Sequence, residues 1–367
     1  MRFFGIIALF AFLTVPLEGF GQANLVGVPS LRVEPDPIST GRGMTGVARP
    51  DRATAVFWNP AGLAFQRGAQ IGLSRFNWAP DMNDDYSYNY LMGRHYVDGL
   101  GTVGGNITYL NLGDGTFIDK EQDIGDDFSS SEFSIGLSLG RVAIPQTLSL
   151  GLGIRYVSSR VVPSGIEVNN GTTKIGKTAT FDLGALYFPG NFSIGSSVVR
   201  PTVGLSLTNF GGRVSYSSDG YENPLPTTLR LGGAAKISLD PDGINTLTPS
   251  IEFSKMMVRV DSTEADGAFQ ALFSSWGSYE FFDGKEMVDV SLGKQIMFGA
   301  GLEYWYANSM ALRGGYYNES AVNGGRKFLT FGGSIRVLPI EINASYAIQQ
   351  GQVNQGNIFR VGLLFDF

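Results

Sequence analysis

His95 is the only histidine of the chain, and there is no cysteine. These two counts remove thiolate chemistry, disulfides and every Cys/His metal set. They leave His95, between Arg94 and Tyr96, as a strand-end hydrogen-bonding residue rather than a base. The acidic run Asp119, Glu121, Asp123, Asp126 and Asp127 lacks the EF-hand spacing and reads as a solvated loop. Serines occur without a base constellation, so a hydrolase is not indicated, and no cofactor is implied. What remains is a set of charges of both signs, Arg155, Asp182, Arg230, Lys236, Glu252, Lys255, Glu303, Arg313, Arg336, Glu341 and Arg360, each opposite in parity to the apolar residues around it. Charges placed this way avoid lipid and pair across an interior, although an aqueous pore would give the same pattern.

The elements that must carry them are strands. In the last eleven residues, Phe359, Val361, Leu363, Phe365 and Phe367 alternate with Arg360, Gly362, Leu364 and Asp366, which gives one apolar and one mostly polar face. Residues 148–156 and 297–306 repeat the pattern. Soluble sandwich strands run to about five or six residues, whereas a tilted wall crossing hydrocarbon needs about nine to eleven. The expected fold class is all-β, a transmembrane outer-membrane β-barrel of about 14 antiparallel strands. They are read at 70–77, 85–96, 99–112, 132–141, 147–157, 178–187, 200–209, 227–237, 248–258, 288–306, 310–318, 326–337, 340–347 and 357–367. Treating 288–306 as one long strand, or as a strand with an irregular lead-in, keeps the even number that bacterial barrels use.

Composition agrees with a wall of this kind. A mean hydropathy of +0.04 suits a barrel in which only alternate residues meet lipid, and the 50 glycines disfavour helices and allow close approach between chains. The net charge of −6 excludes a non-specific nucleic-acid binder.

Residues 1–21 read as a signal peptide: Arg2, an apolar run over 3–15, then Gly19-Phe20-Gly21 as small residues before cleavage. A membrane anchor is the competing reading. Residues 22–69 do not alternate and are expected to form an N-terminal plug, with 70–367 as the barrel. In the plug, Asp51 is expected to cap a turn over 53–57, with Pro60 closing or redirecting it. Short links are expected at one end of the barrel, and long polar loops at 113–131, 158–177, 210–226 and 259–287 at the other. The plug is expected to begin, and the last strand to finish, at the short-link end.

Two loop regions pair apolar groups with a polar rim and are candidate protein contacts: Trp78 and Asp81 in the first, Phe117, Ile118 and Phe128 in the second. Membrane-interface anchoring is the alternative for Trp78. A short helix within 265–276 would present Phe269, Leu272, Phe273 and Trp276, either outward or folded over the lumen. Candidate plug and lumen residues are Arg42, Trp58, Asn59, Arg155, Glu303, Arg313 and Arg360.

The segments Val33-Glu34-Pro35-Asp36-Pro37-Ile38-Ser39-Thr40-Gly41-Arg42-Gly43-Met44 and Phe57-Trp58-Asn59-Pro60-Ala61-Gly62-Leu63-Ala64, the strand Gly301-Leu302-Glu303-Tyr304-Trp305-Tyr306, the run Leu312-Arg313-Gly314-Gly315-Tyr316-Tyr317 and the ending Leu363-Leu364-Phe365-Asp366-Phe367 resemble the PorV family. These are outer-membrane proteins of the Bacteroidota type IX secretion system, related to FadL fatty-acid transporters. The resemblance extends from about residue 28 to the C-terminus. It implies a fourteen-stranded, non-enzymatic barrel that receives cargo bearing a C-terminal secretion domain. Its implied partners are a SprA-like translocon barrel, a PorU-like attachment protease, the cargo and outer-membrane lipids. A FadL-like channel for long-chain fatty acids or other hydrophobic small molecules is the alternative.

Overall fold

The computed structural model describes residues 26–49, 52–118, 124–161, 163–168, 171–220, 222–259, 265–282, 287–351 and 355–367. The signal-peptide reading and the Asp51 cap therefore fall outside the described residues.

Alternation of side chains by parity produces fourteen long antiparallel strands: β1 (Ala69–Phe76), β2 (Ser87–Val97), β3 (Gly101–Ile118), β4 (Ile124–Ile144), β5 (Leu148–Arg160), β6 (Gly176–Tyr187), β7 (Ser197–Gly211), β8 (Thr228–Ser238), β9 (Asn245–Met256), β10 (Ile296–Tyr306), β11 (Met310–Asn318), β12 (Lys327–Val337), β13 (Ile340–Gln349) and β14 (Ile358–Asp366). Each pairs with its sequence neighbours, and β14 closes onto β1 with Leu363 opposite Leu73. Closure leaves no open edge along the wall. The sorting of faces is plain on β5, where Leu150, Leu152 and Ile154 point outward and are exposed while Ser149 and Arg155 are buried inside.

The wall departs from the simplest expectation at three places. The span 288–306 is a strand with an irregular lead-in rather than one long strand. Tyr279–Phe282 and Met287–Val290 form a separate hairpin, the short helix Leu292–Gln295 follows, and the wall strand starts at Ile296. The stretch 113–131 is not a simple loop, because register shifts between Asn111 and Asp114 let β3 and β4 continue pairing beyond the wall. Lys255 faces outward rather than into the lumen, since its register partners are Leu229 and Ile296 on the outer face.

Residues 26–49 and 52–66 are largely buried against the inner face of the wall. Asp36 caps the helix Pro37–Thr40, accepting from Ser39 N at 2.7 Å, with Pro37 at the first helical position. Asn59 ends the helix Ala55–Trp58 and caps the 3-10 turn Pro60–Phe65 by accepting from Ala61 N at 3.1 Å, so Pro60 redirects the chain as expected. The segment runs the length of the interior. Gly27 N donates to Pro224 O among the long loops, whereas Ala69 and Phe367 exchange backbone hydrogen bonds at the short-turn end. Its described beginning is thus at the opposite end from the one expected.

Candidate functional site

Glycines on the inner face of the wall let this segment touch the wall backbone. At Gly204 of β7 an added Cβ would overlap the Val47 carbonyl oxygen, and at Gly301 of β10 it would overlap that of Arg42. Gly151 of β5 meets the Pro60 and Ala61 backbone in the same way, so the segment touches the wall on several strands. Hydrogen bonds complete the fit: Gly46 N and Val47 N donate to Glu252 at 2.8 and 2.9 Å, and Asn59 Nδ2 donates to Val47 O at 2.8 Å and to Ala185 O at 3.1 Å. Trp58, stacked edge-on against Phe57, donates from Nε1 to Asp36 at 2.8 Å.

Buried charges pair the segment to the wall. Glu303 receives three guanidiniums: Arg313 of the next strand at 2.6 Å, and Arg49 and Arg42 of the segment at 2.5 and 3.4 Å. A second carboxylate, Glu341, takes Arg336 at 2.5 Å and Arg52 at 3.3 Å, and the Trp305 ring lies between these clusters with Arg336 4.6 Å from its centroid. Isolated charges at this depth carry a large desolvation cost that pairing offsets. Arg155 pairs with Asp182 at 3.0 Å and donates to Asn209 Oδ1 at 2.6 Å; Asn209 sits in a β7 bulge with φ +58° and donates to Leu31 O. Arg360 differs. It is buried, its charge lies 4.4 Å over the Phe76 ring, and among the described residues it makes no ion pair.

Toward the long loops, Glu319 binds Arg326 at 2.9 Å and Arg32 at 3.6 Å, and Arg326 also reaches Glu34 at 3.1 Å. Burial opposes ionisation of Glu319, but the two guanidiniums outweigh it and hold the carboxyl below its usual range. Burial also works against Arg326, which Glu319 and Glu34 nevertheless keep firmly protonated. Arg32, Asp36, Arg49, Arg52, Glu319 and Arg326 were not singled out from the sequence. For Asp36 a signal existed, the Asp-Pro pair before Ile38, which marks a helix start.

The loop candidates separate. Trp78 is half-buried, stacked on Tyr86 at 5.5 Å, and accepts from Gln355 at its carbonyl, so it lies in a contact between loops. Asp81 is exposed and packs against Gly356. Phe128 is half-buried opposite Gly115, and the side chains of Phe117 and Ile118 fall outside the described residues. The helix Ala268–Ser274 buries Ala271 and leaves Phe269 and Phe273 each 69% exposed, one turn apart and 5.5 Å between centroids. Leu272 is half-buried; exposed Trp276 donates to its carbonyl at 2.8 Å and lies 5.6 Å from the Lys255 ammonium. Trp276, beside the outward-facing Lys255, stands outside the lumen.

Among the described residues, no group of three or more His, Cys, Asp or Glu is placed to hold a metal ion. No curated protein matches the chain. Similar solved structures include the Ralstonia pickettii toluene transporter TbuX (14% identity, 96% of this chain and 100% of that one, TM-score 0.49), the Pseudomonas putida toluene transporter TodX (14%, 95% and 97%, 0.47) and a Pseudomonas aeruginosa FadL homologue (12%, 91% and 98%, 0.43). The family model described as "Type IX secretion system protein PorV" matches residues 21–263. With that match over most of its length, the chain belongs to the PorV family of outer-membrane type IX secretion proteins.

Proposed function

We propose that this chain crosses the outer membrane through its strands, is sealed by residues 26–66 as a plug, and acts as a protein-binding barrel rather than a conduit. It binds the C-terminal secretion domain of cargo on its long-loop face, receives that cargo from a SprA-like translocon and presents it to a PorU-like attachment protease. The observation that carries this reading is the filled interior, in which the segment backbone meets wall glycines and its arginines end on Glu303 and Glu341. The interior pocket beside Arg230, Glu252 and Arg326 has a volume of about 20 Å³, room for one water. The exposed aromatics Phe269, Phe273 and Trp276 are the surface this reading assigns to cargo. Purified barrel should capture a cargo secretion domain and lose it when these three residues are changed to alanine; capture by the altered barrel equal to that of the parent rejects this surface.

One observation favours a second reading, a channel for hydrophobic small molecules of the kind named for the similar transporters. Arg360 offers an unpaired guanidinium among Phe76, Tyr88 and Ile358, a setting suited to the carboxylate of an amphiphile. Binding there requires the interior to open. Native mass spectrometry of barrel taken directly from membranes tests it: an acyl adduct that disappears in Arg360→Met supports the channel, and a ligand-free barrel rejects it.

A further inference from the structure

Below the extension of β3 that bears Asp114, the outward face of the described wall carries charge of one sign. Burial and register place Arg75, Arg141, Arg160, Lys177, Lys255 and Lys327 on it, while the wall carboxylates Glu132, Asp182, Glu252, Glu303, Glu341 and Asp366 have inward parity. The cations are also sorted by height. Arg141 is near the short-turn end, and the other five lie in the last turns of their strands toward the long loops. Lys255 is covered by Trp276. The side chains of Arg75, Arg160, Lys177 and Lys327 are exposed and make no ion pair or hydrogen bond among the described residues. Arg160 and Lys177 are neighbours on adjacent strands, for Ser159 pairs with Gly176 and Ser158 with Lys177. Below them the same face is Tyr156, Ile154, Phe181 and Leu183, all exposed and apolar.

We infer that this rim is a binding collar for the phosphate groups of lipid in the leaflet around the long-loop end, with Arg160 and Lys177 as its strongest point. This rests on the reading that the strands cross a membrane. Long cationic side chains at the edge of an apolar band extend to headgroup level, and unpaired cations there favour anionic headgroups. A carboxylate in the same row would cancel that preference; the described outward carboxylate, Asp114, lies past the register shift on the extension of β3 beyond that row, and accepts from Ser129. The apolar strip beneath would take the acyl chains of the same lipid, which distinguishes the site from a patch for free anions.

The full-length barrel is reconstituted into phosphatidylcholine nanodiscs containing a minority of diphosphorylated lipid A, then released into detergent, and lipid A adducts are counted by native mass spectrometry. Parent barrel, Arg141→Gln, and the charge-conserving pair Arg160→Lys with Lys177→Arg should retain the adduct. The pair Arg160→Gln with Lys177→Gln should retain roughly tenfold less, with closed-barrel gel mobility unchanged. Equal retention by that pair overturns the collar, as does displacement of the adduct by millimolar inorganic phosphate. A parent chain that fails to enter nanodiscs overturns the membrane-spanning reading together with it.

Discussion

Arg49 of the inner segment meets Glu303 of β10 at 2.5 Å, with both side chains buried, so a residue that precedes every wall strand is tied to the far side of the barrel. Arg42 and Arg313 complete the cluster around the same carboxylate. Neutralising Glu303 removes a counter-charge that three buried guanidiniums share. Glu303→Gln is therefore expected to destabilise the folded barrel by about 3–5 kcal/mol, seen as a lower urea midpoint in micelles. Current through the reconstituted variant should exceed that of the parent, because the segment is held less firmly.

Gly301 and Gly314 are neighbouring glycines on β10 and β11 that face opposite sides of the wall. A methyl at Gly301 overlaps the Arg42 backbone, so Gly301→Ala is expected to cost about 1–3 kcal/mol. At Gly314 the nearest atom to an added Cβ is 4.0 Å away, and Gly314→Ala should be neutral or stabilising by about 0.4–1 kcal/mol. Urea midpoints of the two variants check the contrast. Equal effects would show that the segment does not press on the wall.

Phe269→Ala, Phe273→Ala and Trp276→Ala together should leave barrel stability close to the parent, since the rings are exposed, and weaken cargo binding about tenfold or more. Calorimetric titration with a cargo secretion domain separates the two effects.

Glu319 supplies the pH dependence of the long-loop end. Its folded pKa lies below its ordinary value, so the stability it contributes is fully present above the unfolded carboxylate range and is lost as pH falls through the folded value. Hydrogen exchange in the turn 319–326 should therefore be slower in the parent than in Glu319→Gln at neutral pH. The difference should shrink below about pH 4.5 and vanish in stronger acid. A difference that grows with acidification contradicts the sign.

Much of this architecture is legible in the chain because parity is a local property. Phe359 and Arg360 are adjacent, one outside and one inside, and the ladder needs nothing else to sort them. Lys255 fails the same test. It sits where an apolar residue is expected, and the cover that tolerates it, Trp276, comes from a distant loop. The inner glycines are visible as a count, but their purpose depends on which backbone passes in front of them. Nothing local to Gly204 announces Val47. Glu303 was identifiable as an inward charge, whereas its partners Arg42 and Arg49 belong to a segment without periodicity. The second arm of the hairpin Tyr279–Phe282 with Met287–Val290 reads as part of a wall strand because its alternation runs close to that of β10, while its first arm reads as loop.

The central claim is that a sealed barrel of this family works by holding protein. Affinity purification of the intact chain from its native outer membrane, followed by identification of what accompanies it, tests that claim most directly. The account predicts recovery of a very large translocon barrel, or of an attachment protease with cargo that carries a C-terminal secretion domain. A solitary barrel enriched only in a bound acyl ligand would contradict it.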